Sequence, residues 1–297
     1  MSTDLGASFN EQYVNINTKL KKRFMRRPNI SEATNEFIGL AIQCENCEQP
    51  TFAGQTYIGA AKCEASAGNI LGEAENYIAA ARQFMKAEKK LFSLKFDSPD
   101  RENLEAAIGC FLQALQKYPE KSPLRASILL EIANDLLEIN HKLEAIAYFK
   151  QALDIIQDET MKLMCMIKLF NMQIDSGKLN LALQTGNSIT DLKCHVPDRL
   201  LTEIQVSRVL LALHVDMNDK NRTESLKKLF SDLLNDDEEC DTIQFNPDFK
   251  LKLQSIIISS NLEDQQALIA ISMDTKPYLT DQQWDLLQSL ICKKQED

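Results

Sequence analysis

The sequence predicts an all-α fold in which pairs of helices stack side by side. Three observations predict it. One pattern occurs twice: Ala107, Phe111, Ala114 and Leu115 stand at Ala-x3-Phe-x2-Ala-Leu spacing, and Ala145, Phe149, Ala152 and Leu153 repeat it thirty-eight positions later. Between the copies lies a helical run, 126–140, with Leu129, Ile132, Ala133 and Leu136 on one face. Small residues let two helices approach, and an aromatic fills the groove between successive hairpins. Finally, prolines sit between apolar runs, where helices stop, and no stretch shows sustained strand alternation.

With Ala133 as the small packing position of one helix, Ala145, Phe149 and Ala152 follow at tetratricopeptide spacing. Residues 126–159 therefore read as one repeat unit, and 104–120, closed by Pro119, as the second half of the unit before it. Extended along the chain, this predicts a tetratricopeptide-like α-solenoid of about thirteen or fourteen antiparallel helices. It would form a single domain over 1–297, with 1–8 disordered and 235–246 an acidic loop. A hydrophobic content of 44% is ample for such a core.

Taken in order, Tyr13, Ile16, Leu20 and Phe24 predict a first helix over 9–26, stopped by Pro28. Lys19, Lys21, Lys22, Arg23, Arg26 and Arg27 occupy its other face and its end. Cations there suit the helix dipole; a nuclear-import signal or an anionic-lipid patch would look the same. Ser31 is placed to cap a second helix carrying Ala33, Phe37, Leu40 and Ala41. Residues 52–67 are rich in Ala and Gly, which predicts close packing. The helix over 70–94 carries a third, weaker copy of the motif at Ala80, Phe84 and Ala87.

Beyond 159 the pattern loosens. Met161, Met164, Cys165, Ile167, Leu169 and Phe170 predict an apolar helix, its methionines read as core in preference to an adaptable groove. In the next helix Ala182 and Leu183 keep the register, but Gly186 stands where the aromatic belongs and Ile189 where the small residue belongs. The array is expected to continue there with different packing. The helix over 199–215 is apolar around much of its circumference, which predicts cover on both sides. Helices over 226–234, 247–260 and 262–273 follow, and a last one after Pro277 has Thr280 as its cap and Trp284 packing its end.

The net charge is −10, yet six positive charges fall in 19–27, leaving −16 on the rest. That asymmetry argues against a general nucleic-acid binder and suits docking on a basic protein surface. The first ten residues lack an apolar signal core and no window predicts a membrane span, so the chain is expected in the cytoplasm, with its eight cysteines reduced. Cys44-x2-Cys47 has no second pair or His nearby to complete a zinc site, and reads as structural. No phosphate-binding loop, dinucleotide fingerprint, His-Glu-x2-His or Gly-x-Ser-x-Gly element occurs; His141, His195 and His214 are scattered. The expectation is no enzyme, no catalytic residue, no metal and no cofactor.

Three segments carry a likeness: 19–33 (KLKKRFMRRPNISEA), 205–211 (QVSRVLL) and 279–287 (LTDQQWDLL). In that order they resemble the family of the forty-kilodalton huntingtin-associated protein, also called the factor VIII intron 22 protein, in a short form of invertebrate kind. The resemblance implies an all-helical protein that binds huntingtin as a heterodimer, bridges its helical-repeat domains, and is linked to early endosomes through a Rab-type small GTPase. A nuclear pool is a further expected location, from the import-signal reading of 19–27. A clasped scaffold of this sort implies an interface above ~2,000 Å² in total. Partner-facing candidates are Lys19, Lys21, Lys22, Arg23, Phe24, Arg26, Arg27, Arg208, Trp284 and the acidic run Asp236, Asp237, Glu238 and Glu239. The chain departs from the vertebrate pattern in having only Cys194–Arg199 where that family carries a long Pro-rich insert. A general trafficking adaptor similar to the soluble NSF attachment proteins is the competing expectation, and a membrane-surface or RNA binder through 19–27 a third.

Overall fold

The structure is a computed structural model. It describes residues 2–21, 29–96, 99–192, 194–215, 222–235 and 245–296, with backbone alone for 2–8 and 294–296. The described residues form fourteen α-helices and one 3-10 turn, and no strand. Contacts divide them into two compact units, 1–155 and 156–297.

Unit 1 holds α1 (Ser2–Leu20), α2 (Ile30–Asn46), α3 (Pro50–Ala67), α4 (Ile70–Ser93), α5 (Glu102–Leu115), α6 (Pro123–Glu138) and α7 (Lys142–Leu153). Each helix packs on the next. Side chains also reach across to the next helix but one. Arg82 of α4 grips Glu131 of α6 through two hydrogen bonds, 2.6 and 2.9 Å. Lys89 of α4 meets both Asp135 and Glu138 of α6 at 2.6 Å. Arg101, just before α5, meets Glu144 of α7 at 2.9 Å. Contacts at one and two helices' distance are what stacked hairpins produce.

The repeated motif supplies the reason for the stacking. All three aromatics, Phe84, Phe111 and Phe149, are buried, as are the alanines at 80, 87, 107, 114, 133, 145 and 152. The Ala/Gly-rich α3 brings its neighbours closer still. A Cβ on Gly59 would sit 2.9 Å from the ring of Phe37, and one on Gly54 would sit 2.8 Å from the ring of Phe84. Those two glycines let one aromatic from α2 and one from α4 press directly on the α3 backbone.

Turns between helices reuse one device. Glu48, Asn140, Gly177 and Glu263 each adopt a left-handed conformation, and the next N–H returns to a carbonyl one turn back, as in His141 N–H to Leu136 O at 2.8 Å. This satisfies carbonyls the helix end leaves unpaired. Boundaries differ from expectation where capping decides them. Asn29, not Ser31, caps α2, its side chain accepting the Glu32 N–H at 3.3 Å. The backbone of α1 begins at Ser2, seven residues ahead of the boundary drawn from apolar spacing. The expected continuation of that helix through Arg26 to Pro28 lies outside the described residues.

Unit 2 holds α8 (Glu159–Asp175), α9 (Leu179–Thr190), α10 (Asp198–His214), α11 (Glu224–Leu234), α12 (Pro247–Asn261), α13 (Gln265–Thr275) and α14 (Asp281–Glu296). Neighbours pack in order here too, but α14 also returns to pack on α10. Helix α10 is the centre of this unit, buried at every position from Ile204 to Leu213, as its all-round apolar character predicts. The methionines of α8 correct the expectation of core. Met166 and Met172 are buried, but Met161 and Met164 are 46% and 57% exposed. They lie one turn apart on a solvent face, where periodicity alone could not separate them from the core positions beside them.

Candidate partner-binding site

Two of the three segments that carry the likeness lie far apart in the chain and meet in unit 2. Their junction is built from the start of α14. Thr280 precedes the helix and forms a reciprocal cap with Gln283: the Thr280 N–H donates to Gln283 Oε1 at 3.0 Å, and the Gln283 N–H to Thr280 Oγ1 at 3.3 Å. Ser/Thr-x2-Glu/Gln is the sequence form of this capping box. Its geometry leaves the Gln283 amide nitrogen free to point away from the cap. That nitrogen donates to the Glu203 carbonyl at 2.8 Å and to Ser207 Oγ at 3.1 Å on α10. Gln282, one position earlier, donates to the Asn171 carbonyl at 3.0 Å and to Asp175 Oδ1 at 2.6 Å on α8. Two adjacent glutamines thus tie α14 to α10 on one side and to α8 on the other.

Further along, Lys293 Nζ donates to the His214 carbonyl at 3.0 Å, and the His214 ring meets Ser289 Oγ at 2.9 Å. Trp284 is half-buried, with the Lys276 ammonium 4.7 Å from its ring centroid, a cation–π pair at the end of the unit.

Arg208 lies inside unit 2, at 0% exposure, and so does not offer its guanidinium to a partner. The guanidinium donates to Asn187 Oδ1 through Nε and Nη2 (2.9 and 2.7 Å), to Gln205 Oε1 (2.6 Å) and to Ser225 Oγ (2.9 Å). Every one of those acceptors is neutral. Burial pulls the guanidinium down to about 10, against the charge of Asp191, so it stays protonated at neutral pH. Its stem explains the break in the repeat at Gly186. A Cβ there would meet the Phe170 ring at 2.9 Å and Arg208 Cγ at 3.0 Å. The volume that the aromatic of the equivalent helix fills in the other repeats is taken here by Phe170 from α8 and Arg208 from α10. Nothing in helical periodicity marks Arg208 as internal; only the missing aromatic at 186 hints that another side chain must enter.

Between α8, α10 and α14 lies a cleft of about 310 Å³, lined by Ile167, Phe170, Leu200 and Ile204 with Glu203, Ser207, Asn171, Thr280, Gln282 and Gln283. Of the remaining candidates, Lys19 pairs with Glu36 of α2, which raises the ammonium's affinity for its proton, and Lys21 is exposed. Lys22, Arg23, Phe24, Arg26 and Arg27 lie outside the described residues, as do Asp236, Asp237, Glu238 and Glu239. Among the described residues no group of three His, Cys, Asp or Glu side chains is placed to hold a metal ion, and no helix is long and apolar enough to cross a membrane.

No family model matches this chain. It is similar to the 40-kDa huntingtin-associated protein of Rattus norvegicus and to that of Mus musculus, 29% identical over 147 residues in each case. The match takes in 48% of this chain and 39% of each relative, so the chain spans about two fifths of the length of the curated relatives it matches. These relatives bear the name of the family that the sequence resembles.

Proposed function

We propose that this chain is a non-catalytic scaffold that binds huntingtin and bridges its helical-repeat domains in a stable complex in the cytoplasm. One observation carries the reading. The segments 205–211 and 279–287, the bearers of the likeness, are joined by Gln283 of the second donating to Ser207 of the first, 76 positions away. The similarity to the rat and mouse proteins, which are named for their association with huntingtin, supports that choice of partner. Stacked helices supply long surfaces for another helical protein and need no cleft of convergent catalytic groups. Recruitment to early endosomes through a Rab-type GTPase belongs to the same proposal, as a consequence of the complex.

The test is co-purification from cells that make the chain. Tagged chain should bring down huntingtin at near equal amounts, and removing huntingtin should lower the steady-state level of the chain several-fold. A monodisperse chain that recovers no huntingtin, and whose level is indifferent to it, overturns the proposal.

A further inference from the structure

The lining of the cleft between α8, α10 and α14 has two chemistries. Ile167, Phe170, Leu200 and Ile204 are its apolar part. Most of its polar groups are already engaged. Gln282 is spent on α8, Gln283 on α10, Ser207 on the Glu203 carbonyl at 3.0 Å, and Thr280 Oγ1 on its cap. Among these lining residues the carboxylate of Glu203 is the one charged group. Its partner is Arg199 Nε, one turn earlier at 3.2 Å, and the Arg199 side chain is 93% exposed. An exposed pair within one helix is weak and easily exchanged.

We propose that this cleft receives a lysine or arginine side chain from a protein partner. The aliphatic stem would lie on Phe170, Ile204, Leu200 and Ile167, and the cation would take Glu203 from Arg199. Long basic side chains divide in this way, with an apolar stem and a charged tip. The volume of about 310 Å³ is small for a cofactor, at the bottom of the roughly 300–1,000 Å³ of ligand clefts, and ample for one side chain. The sign is set by Glu203 and by the chain's net charge of −10, which steers cationic surfaces toward it. Taking that partner to be huntingtin rests on the function proposed above; the chemistry of the cleft does not.

The experiment has two arms. In the first, the full chain labelled with nitrogen-15 is titrated with n-butylguanidinium and, separately, with its neutral isostere n-butylurea. The cation should shift the backbone amide signals of Ser207, Gln282 and Gln283; the urea should not, and Glu203→Gln should abolish the response. No shift, an equal shift with the urea, or an unchanged shift in Glu203→Gln overturns the inference. In the second arm, affinity for huntingtin is compared across variants. Glu203→Gln should weaken binding about tenfold, and Arg199→Ala, which removes the internal competitor, should strengthen it a few-fold. If wild type binds huntingtin and neither variant changes that binding, the inference falls and the scaffold reading stands. If wild type takes up the guanidinium probe and binds no huntingtin, the scaffold reading falls and the cleft's preference stands.

Discussion

In α3 the glycines at 54 and 59 lie beneath the rings of Phe84 and Phe37; in α9 the glycine at 186 lies beneath Phe170 and the stem of Arg208. Each glycine admits a large side chain from a neighbouring helix. Around α3 the intruders are apolar, and the core of unit 1 is largely alanine, phenylalanine, leucine and isoleucine, with several of its ion pairs running between next-but-one helices. Around α9 one intruder is a cation, buried among neutral acceptors from α9, α10 and α11. Unit 1 can therefore be assembled hairpin by hairpin, each contact depending on near neighbours. Unit 2 depends on a polar centre and on the return of α14 to α10, which demand that distant parts of the chain arrive together.

Substitutions at Arg208 test that contrast most strongly. Arg208→Ala should cost about 3–5 kcal/mol, since it opens a cavity beneath Gly186 and strands Asn187 and Gln205. Arg208→Met keeps the stem and sheds a buried charge, so its loss should be less than half of that. Amide exchange should accelerate across α9–α11 in the alanine variant while α2–α4 keep their protection. Equal loss of protection in α2–α4 would overturn the contrast.

Gln283→Ala comes next. It deletes the reciprocal cap and the bonds to Glu203 and Ser207, and should lower stability by about 2 kcal/mol, read as a lower denaturation midpoint with early exchange in α14. Gly54→Ala probes the apolar side of the comparison. Alanine gains about 1 kcal/mol in helix propensity, but its Cβ would lie 2.8 Å from the buried Phe84 ring, and overpacking costs about 1–3 kcal/mol. The net should be a loss of about 1 kcal/mol in wild type, whereas the same change made in a Phe84→Leu background should stabilise relative to Phe84→Leu alone. Glu48→Gly should stabilise by about 0.5–1 kcal/mol, because Glu48 holds a left-handed φ of 54° at the end of α2.

The smallest effect is electrostatic. Burial works to raise the Glu144 carboxyl, but the Arg101 guanidinium, helped by His141, holds it below the usual range. A carboxyl held low adds stability above its unfolded value near about 4.3, and that contribution disappears as pH falls through the folded value. The pair is partly exposed, so it should be worth under ~1 kcal/mol. Acid denaturation of Arg101→Met should lose less stability than wild type between about pH 5 and 3.

Several of these features were legible in the sequence. The Ala-x3-Phe-x2-Ala motif located the cores of α4, α5 and α7, even in its weaker copy at 80–87. The apolar circumference of α10 foretold burial on all sides. Thr280 was readable as a cap. Other features were not. Met161 and Met164 were read as core and are exposed, because neighbouring methionines on one helix face differ only in what packs on them. Arg208 was read as a surface contact and is internal, because its acceptors come from α9 and α11 as well as from its own helix. Lys19 was one member of a basic run and proved to be paired with Glu36 of α2.

The division follows from range. Helix formation, capping and the small–aromatic spacing are decided between residues three or four apart, so a helical chain with a repeated hairpin in 104–153 could be read from the residues alone. Meetings across long separations could not, and they come from the packed fold: Gln283 on Glu203 and Ser207, Gln282 on Asn171, Arg208 between Asn187 and Ser225. A polar side chain is buried at low cost only when each donor finds an acceptor. Those acceptors here lie 17 to 111 positions away in the chain, where no periodicity connects them.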